Sequence, residues 1–296
     1  MYTRPITTRS FLSLLAGCFI PSFTLLRKND PMRMAGATAF FTTFALPPII
    51  FLIAQLFGLI FTAKEIGRGL INNLANNLGS EGAEQVRGII RSIRSFSNSW
   101  YVLLLGSVFL FFVATTLFTV IKNSINQIWK IEQQGFKIMG TILSRLRSFA
   151  IILVVGVLFL ADLTFKSVET VSGKYLEAYL TGSSFYFKLI FSELTSILIV
   201  SAWFITLFRF ITDGRPRWKA SIIGGVLTGI LFVLGSFILR LVLIDGNIGD
   251  LYGTSGSFVL ILLFVFYTSF IMYYGACYMQ VFSEKMGWKM VMENKK

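Results

Sequence analysis

The chain contains no histidine. That removes the commonest general base and the commonest transition-metal ligand, and no Ser/His/Asp set can be assembled. Cysteine is nearly absent as well. Cys18 and Cys277 both sit in apolar stretches and read as small hydrophobes, not as a disulfide or metal framework. Charged residues make up 14% of the 296 positions, where a soluble domain carries about 25%. Carboxylates are the scarcer sign, 14 against 27 Lys and Arg. No nucleotide-binding loop, heptad array or low-complexity tract is visible, and nothing suggests ATP hydrolysis. These absences exclude a disulfide scaffold and argue strongly against an ordinary cytosolic enzyme. The expectation is a protein that is not an enzyme, with no cofactor and no metal.

What is present is hydrophobicity: 55% apolar residues and 31 Phe. Apolar runs near the ~20 residues that cross a bilayer recur along the chain. Six are expected, at 35–61 (interrupted by Pro47-Pro48), 100–121, 149–165, 189–210, 220–244 and 256–282. Their lengths suit helices, not the shorter alternating strands of a barrel. The expected fold is therefore an all-α, polytopic membrane helix bundle forming one domain over 1–296. It has a cytoplasmic or interfacial N-terminal segment (1–34), a six-span bundle (35–282) and a tail (283–296). The connection 62–99 has helical apolar spacing and mixed charge, and reads as helices on the outer surface. Residues 11–26 are too short to span and contain Pro21, so an interfacial helix is expected there. Leu15-Ala16-Gly17-Cys18 also looks like a lipoprotein cleavage box. The stretch from Arg9 to Cys18 is short for a signal, and the apolar run continues past Cys18.

Charge orients such a bundle. The N-terminal segment, the second-to-third and fourth-to-fifth connections and the tail carry 18 of the 27 basic residues and only five carboxylates. Cytoplasmic loops collect Lys and Arg, so both termini are expected in the cytoplasm. The five carboxylates on that side (Asp30, Glu132, Asp213, Glu284, Glu293) are scattered over separate loops, whereas a metal-dependent nuclease needs them clustered. The net charge of +13 is therefore read as topology, not as nucleic-acid binding.

Polar groups inside a bilayer each need an account. Pro47-Pro48 removes two backbone donors in mid-span, which a kink alone explains, and Gln55 is the nearest side chain able to share a site there. Glu193 lies near the outer end of the fourth span, to pair with a basic group such as Arg240 or to face water. Arg240 lies near the outer end of the fifth, where snorkelling is the plain reading. Arg209, with Asp213, Arg215, Arg217 and Lys219, rims the basic face, either as topology charge touching anionic headgroups or as a phosphate-binding entrance. Gly225 and Gly229 stand four apart and let helices approach closely. Gly253, within Leu251–Ser257, allows a tight turn. Trp129 is expected as an aromatic anchor at the membrane interface.

Three stretches resemble the YihY/BrkB family of bacterial inner-membrane proteins. One is AGATAFFTTFALPPII at 35–50. Another is Asn126–Trp129 followed by Arg145 and Arg147. The third starts at Phe208-Arg209-Phe210 and runs through Arg215, Trp218, Ala220, Gly224-Gly225 and Tyr252-Gly253 to YTSFIMYYGA at 267–276. Ala45, Phe266 and Cys277 depart from residues common in the family. The resemblance implies six spans, cytoplasmic termini and a role in envelope integrity. Some members are linked to serum resistance, others are proposed to move lipids, and some have carried a ribonuclease BN label. The resulting expectation is an inner-membrane handler of lipids or lipid-linked anionic molecules. Arg209, Arg240, Glu193 and Gln55 are its candidate binding residues, and membrane lipids, not nucleic acid, are its partners. A non-catalytic scaffold presenting 62–99 is the rival, and oligomeric state and protein partners are left open.

Overall fold

The computed structural model describes residues 13–57, 87–88, 100–131, 154, 157, 184–212, 214, 216–244 and 256–288. Six helices are defined: α1 (Phe19–Arg27), α2 (Pro31–Phe57), α3 (Trp100–Ile128), α4 (Ser184–Phe210), α5 (Trp218–Ile244) and α6 (Gly256–Lys285). No strand occurs among the described residues. Among the described residues three stretches, Glu193–Phe210, Trp218–Leu239 and Phe258–Lys285, are long and apolar enough to cross a membrane. α2 and α3 are 27 and 29 residues long, about 40 Å each at ~1.5 Å per residue. The expected third span except for 154 and 157, the outer segment except for 87–88, and Gly253 lie outside the described residues.

Sequence-specific stops set the helix ends. α3 closes with Lys130 at φ 53°, while the Ile131 amide donates to the Asn126 carbonyl and the Lys130 amide to Gln127. α6 closes the same way. Gly287 sits at φ 66°, Trp288 N–H bonds the Ser283 carbonyl, and the Trp288 ring packs on Phe282 at 5.7 Å. Both are left-handed caps that satisfy the last carbonyls of a helix, and the second adds the usual apolar clasp. Asp30, at φ 50°, turns the chain between α1 and α2. Pro31 then takes the first helical position, where its missing N–H costs nothing.

Pro47-Pro48 lie within one helical element, α2, which runs from Pro31 to Phe57. α3 continues beyond the apolar run that ends at 121 to Ile128, as a helix leaving the membrane is expected to do, and Ile121, Ile125 and Ile128 keep an apolar face buried in the bundle.

The helices meet at one end of the bundle. Arg33, near the start of α2, bonds Gln127, near the end of α3, at 3.4 Å. The Thr38 hydroxyl meets the Tyr273 hydroxyl of α6 at 2.5 Å, fully enclosed. α6 packs on α1, α2, α3 and α5, and α4 packs on α5. Small residues make these approaches possible. A methyl built on Gly225 would stand 2.8 Å from the Ile205 backbone nitrogen, and one on Gly229 3.0 Å from the Ser201 nitrogen. The backbones of α4 and α5 therefore touch at this pair. A second set, Gly224, Thr228 and Gly235, faces Met279, Gly275 and Tyr267 of α6. Thr228 in turn bonds back to the Gly224 carbonyl at 2.6 Å, which satisfies its hydroxyl within its own helix.

The N-terminal segment is not one helix. A turn at 13–16 gives way at Gly17-Cys18 before α1 starts at Phe19. Pro21 has no N–H to give the Gly17 carbonyl four residues back. That carbonyl is taken instead by Lys285 Nζ, at 2.7 Å. Cys18 and Cys277 are free thiols and both are buried. Burial pushes the Cys18 thiol above its ordinary range, partly opposed by the Lys285 ammonium.

The backbone contact predicts a sharp asymmetry between glycines. Gly229→Leu should destabilise the protein by about 1–3 kcal/mol, since overpacking here must move backbone. Gly36→Ala, where nothing lies within 4 Å, should change stability by less than about 1 kcal/mol. Unfolding by SDS titration in mixed micelles measures both.

Candidate functional site

Arg209 lies in the last turn of α4 and anchors the turn into α5. Its Nη1 donates to the Pro216 carbonyl at 2.5 Å. Its guanidinium centre lies 5.1 Å from the Trp218 ring centroid. A cation over an indole face is attracted by the ring quadrupole, by about 0.5–1 kcal/mol where exposed. Phe210 meets the same ring edge-on at 6.0 Å. Arg217, Trp218 and Lys219 are exposed beside it. The result is a half-buried arginine on a solvent-facing aromatic, flanked by two more cations. Arginine carries five N–H donors, and one bond to Pro216 does not exhaust them.

The connection after α4 folds under the end of α3. Ile211, Thr212, Gly214 and Pro216 are all buried. A methyl on Gly214 would collide with Ile131 and come within 3.6 Å of Trp129. Trp129 itself is 5% exposed, and its indole N–H donates to the Ala276 carbonyl of α6 at 3.0 Å. This corrects the expectation of an interfacial anchor. Trp129 faces inward because α6 offers a carbonyl there and the α4–α5 connection covers the ring.

Above this floor a line of phenylalanines climbs between three helices. Phe208 and Phe204 of α4 stand 6.2 Å apart, Phe204 and Phe232 of α5 6.1 Å, and Phe232 and Phe264 of α6 6.0 Å. Phe208 and Phe204 are buried, while Phe232 and Phe264 are half-buried.

The candidate binding residues do not gather at one point. Glu193 is exposed on α4, about 24 Å along the helix from Arg209. Arg240 lies on α5 about 33 Å beyond Trp218. Gln55 is in the last turn of α2, whose start lies at the Arg209 end. The side chains of Gln55, Arg240, Pro47 and Pro48, and all of Asp213 and Arg215, lie outside the described residues. Gly225 and Gly229 lie in the α4–α5 contact.

Sequence reading overlooked two sets of residues. Trp129 and Ala276 are 147 positions apart, and no local signal links them. Tyr274, Tyr278 and Lys285 form a helical-spaced row of donors on α6, a spacing that was readable. They bond the Phe19, Leu15 and Gly17 carbonyls at 3.2, 2.9 and 2.7 Å. Among the described residues no three His, Cys, Asp or Glu side chains stand close enough to share a metal ion.

Apolar helices of this length, packed through glycines and hydroxyl residues, define a helical membrane protein. The model of the Virulence factor BrkB family matches residues 22–295, and the chain belongs to that family. It is 22% identical over 262 residues to a UPF0761 membrane protein of Psychrobacter sp. (strain PRwf-1), covering 87% of this chain and 45% of that one. It is 27% identical over 244 residues to a UPF0761 membrane protein of Aromatoleum aromaticum, covering 80% and 56%. A UPF0761 membrane protein of Psychromonas ingrahamii is 23% identical over 247 residues, covering 82% and 79%. The chain thus spans about half the length of the first two. No solved structure matches it significantly.

Losing the inward bond of Trp129 should be measurable. Trp129→Phe keeps most of the ring and removes one buried donor, while the Ala276 carbonyl keeps its partner within α6. A loss of about 0.5–1.5 kcal/mol is expected. Thermal unfolding in a fixed detergent measures it, with Trp218→Phe, on the exposed surface, expected to cost less.

Proposed function

We propose that the protein handles anionic lipids or lipid-linked anionic molecules in a bacterial inner membrane, passing them along the α4–α5–α6 face, and that this serves envelope integrity. Both termini are cytoplasmic in this reading, and the chain crosses the membrane six times. The protein works without catalysis of its own.

The observation that carries the reading is Arg209 held over the exposed Trp218, with Arg217 and Lys219 beside it. Anionic headgroups are bound by arginine donors, and an indole at the interface suits the boundary between headgroup and acyl chain. A second observation supports it. The distance of about 33 Å from Trp218 to Arg240 is close to the ~30 Å hydrocarbon thickness. In this reading the two arginines stand at the two headgroup layers. Between them stand the half-buried Phe232 and Phe264, the kind of wall an acyl chain follows. Arg209 receives the headgroup on one side and Arg240 on the other, with transport passive, ion-coupled or driven by a partner.

Native mass spectrometry of the gently solubilised protein tests this, beside an unrelated six-span protein as control. A bound anionic or lipid-linked species is expected, depleted in Arg209→Ala and Arg240→Ala at equal expression. A lipid profile equal to the control, or full binding in the double variant, would end this mechanism.

A further inference from the structure

The N-terminal helix carries a feature that the lipid route along α4–α6 does not use. α1 has two contrasting faces. One is buried: Cys18, Ser22 and Leu26 follow each other at four-residue spacing and are fully enclosed. Cys18 sits there among Tyr278, Val281 and Phe282 of α6. The other face points away from the bundle, with Phe19 40%, Ile20 79% and Phe23 50% exposed.

The depth of α1 is fixed by α6. Tyr274 bonds the Phe19 carbonyl, Tyr278 the Leu15 carbonyl and Lys285 the Gly17 carbonyl. Phe19 also packs edge-on against Tyr278 at 5.3 Å. These partners occupy the last three turns of Phe258–Lys285, a stretch apolar enough to cross a membrane. α1 therefore lies at the level where a span leaves the hydrocarbon, and its outward face looks sideways from the bundle at that depth.

Cations stand at both ends of this face. Arg27 and Lys28 close the C-terminal end of α1, Arg33 follows on the first turn of α2, and Lys285 holds the Gly17 end. Arg27, Lys28, Arg33 and Lys285 are all exposed. No carboxylate occurs from residue 13 to 29. Among the described residues Asp30 stands in the turn to α2, and Glu284, beside Lys285, accepts from Gln280 at 2.9 Å.

We propose that the outward face of α1 is a seat for anionic phospholipid of the leaflet at the basic end of the bundle. Acyl chains lie against Phe19, Ile20 and Phe23, and phosphates lie toward Arg27, Lys28 and Lys285. An apolar helix face at interface depth takes hydrocarbon, and flanking cations select anionic headgroups over zwitterionic ones. The seat requires only that the protein resides in a membrane. It stands or falls independently of lipid transport.

The test uses the full chain in nanodiscs of phosphatidylcholine with and without phosphatidylglycerol. A nitroxide is placed at Ile20→Cys and, in a second variant, at Phe23→Cys. Wild-type protein treated identically gives the background from the two buried thiols. The expected result is high accessibility to oxygen and exclusion of a water-soluble nickel chelate at both positions. Phosphatidylglycerol should also be retained in preference to phosphatidylcholine on extraction into detergent. Arg27→Gln/Lys28→Gln leaves the Lys285–Gly17 bond in place. It should weaken that preference roughly fivefold per cation removed, at unchanged nickel exclusion. Nickel access equal to that of a label at Lys130→Cys would show an aqueous face and overturn the proposal. Exclusion of both reagents would show a covering protein and overturn it equally. Oxygen access without preference for phosphatidylglycerol would overturn the anionic selectivity.

Discussion

The structure depends on α6 and on what its C-terminal half gives to its neighbours. In hydrocarbon, water supplies no partner for a stray polar group, so hydroxyls and carbonyls must be matched inside the protein. α6 does this on several sides at once. Tyr273 reaches Thr38 of α2, the Ala276 carbonyl receives Trp129 from α3, and Tyr274, Tyr278 and Lys285 cap the carbonyls of the N-terminal segment. Its remaining side accepts α5 through Gly275 against Thr228 and Met279 against Gly224. The helix is thus buried on several sides near its end, where Tyr273 and Met272 to Phe282 are nearly all enclosed.

That arrangement has consequences for function. The end of the bundle that gathers the cations is also the most tightly closed among the described residues. Trp129, Ile211, Thr212 and Pro216 lie across it, and the α4–α5 connection is pinned there by Arg209. Arg209 therefore has two tasks in the proposed mechanism. It holds the turn through Pro216 and Trp218, and it presents cationic donors at the surface. Arg209→Lys separates the two, because lysine keeps the charge but loses the planar fork that bonds and stacks at once. Lipid contacts near this end would involve two neighbouring surfaces, the α4–α5 turn and the outward face of α1.

Much of this was legible in the sequence because the bilayer imposes coarse rules. The apolar runs at 189–210, 220–244 and 256–282 correspond to α4, α5 and α6 within a turn or two at each end, since span length is set by membrane thickness. The Gly225/Gly229 spacing pointed to close packing, and the backbone contact with Ile205 and Ser201 occurs there. Finer features were hidden for identifiable reasons. Trp129 looked like an anchor because composition cannot show that α6 places a carbonyl beside it. Pro21 announced a break in the N-terminal segment, but the partner of the carbonyl it frees, Lys285, is 268 positions from Gly17. Arg209's bond to Pro216 is local, and the run from Phe210 to Trp218 held the clue: a proline carbonyl and an indole within reach of one arginine.

The central claim is that this family member passes anionic lipid between leaflets, with Arg209 and Arg240 at the two headgroup depths. A leaflet-exchange assay tests it most directly. Purified protein is reconstituted into vesicles carrying a fluorescent phosphatidylglycerol, and dithionite is added outside, with and without an imposed ion gradient. The account predicts bleaching beyond the outer-leaflet share under at least one of these conditions, and bleaching limited to that share in Arg209→Ala/Arg240→Ala vesicles. Bleaching that stops at the outer-leaflet share in wild-type vesicles under every gradient, as in protein-free vesicles, would contradict it.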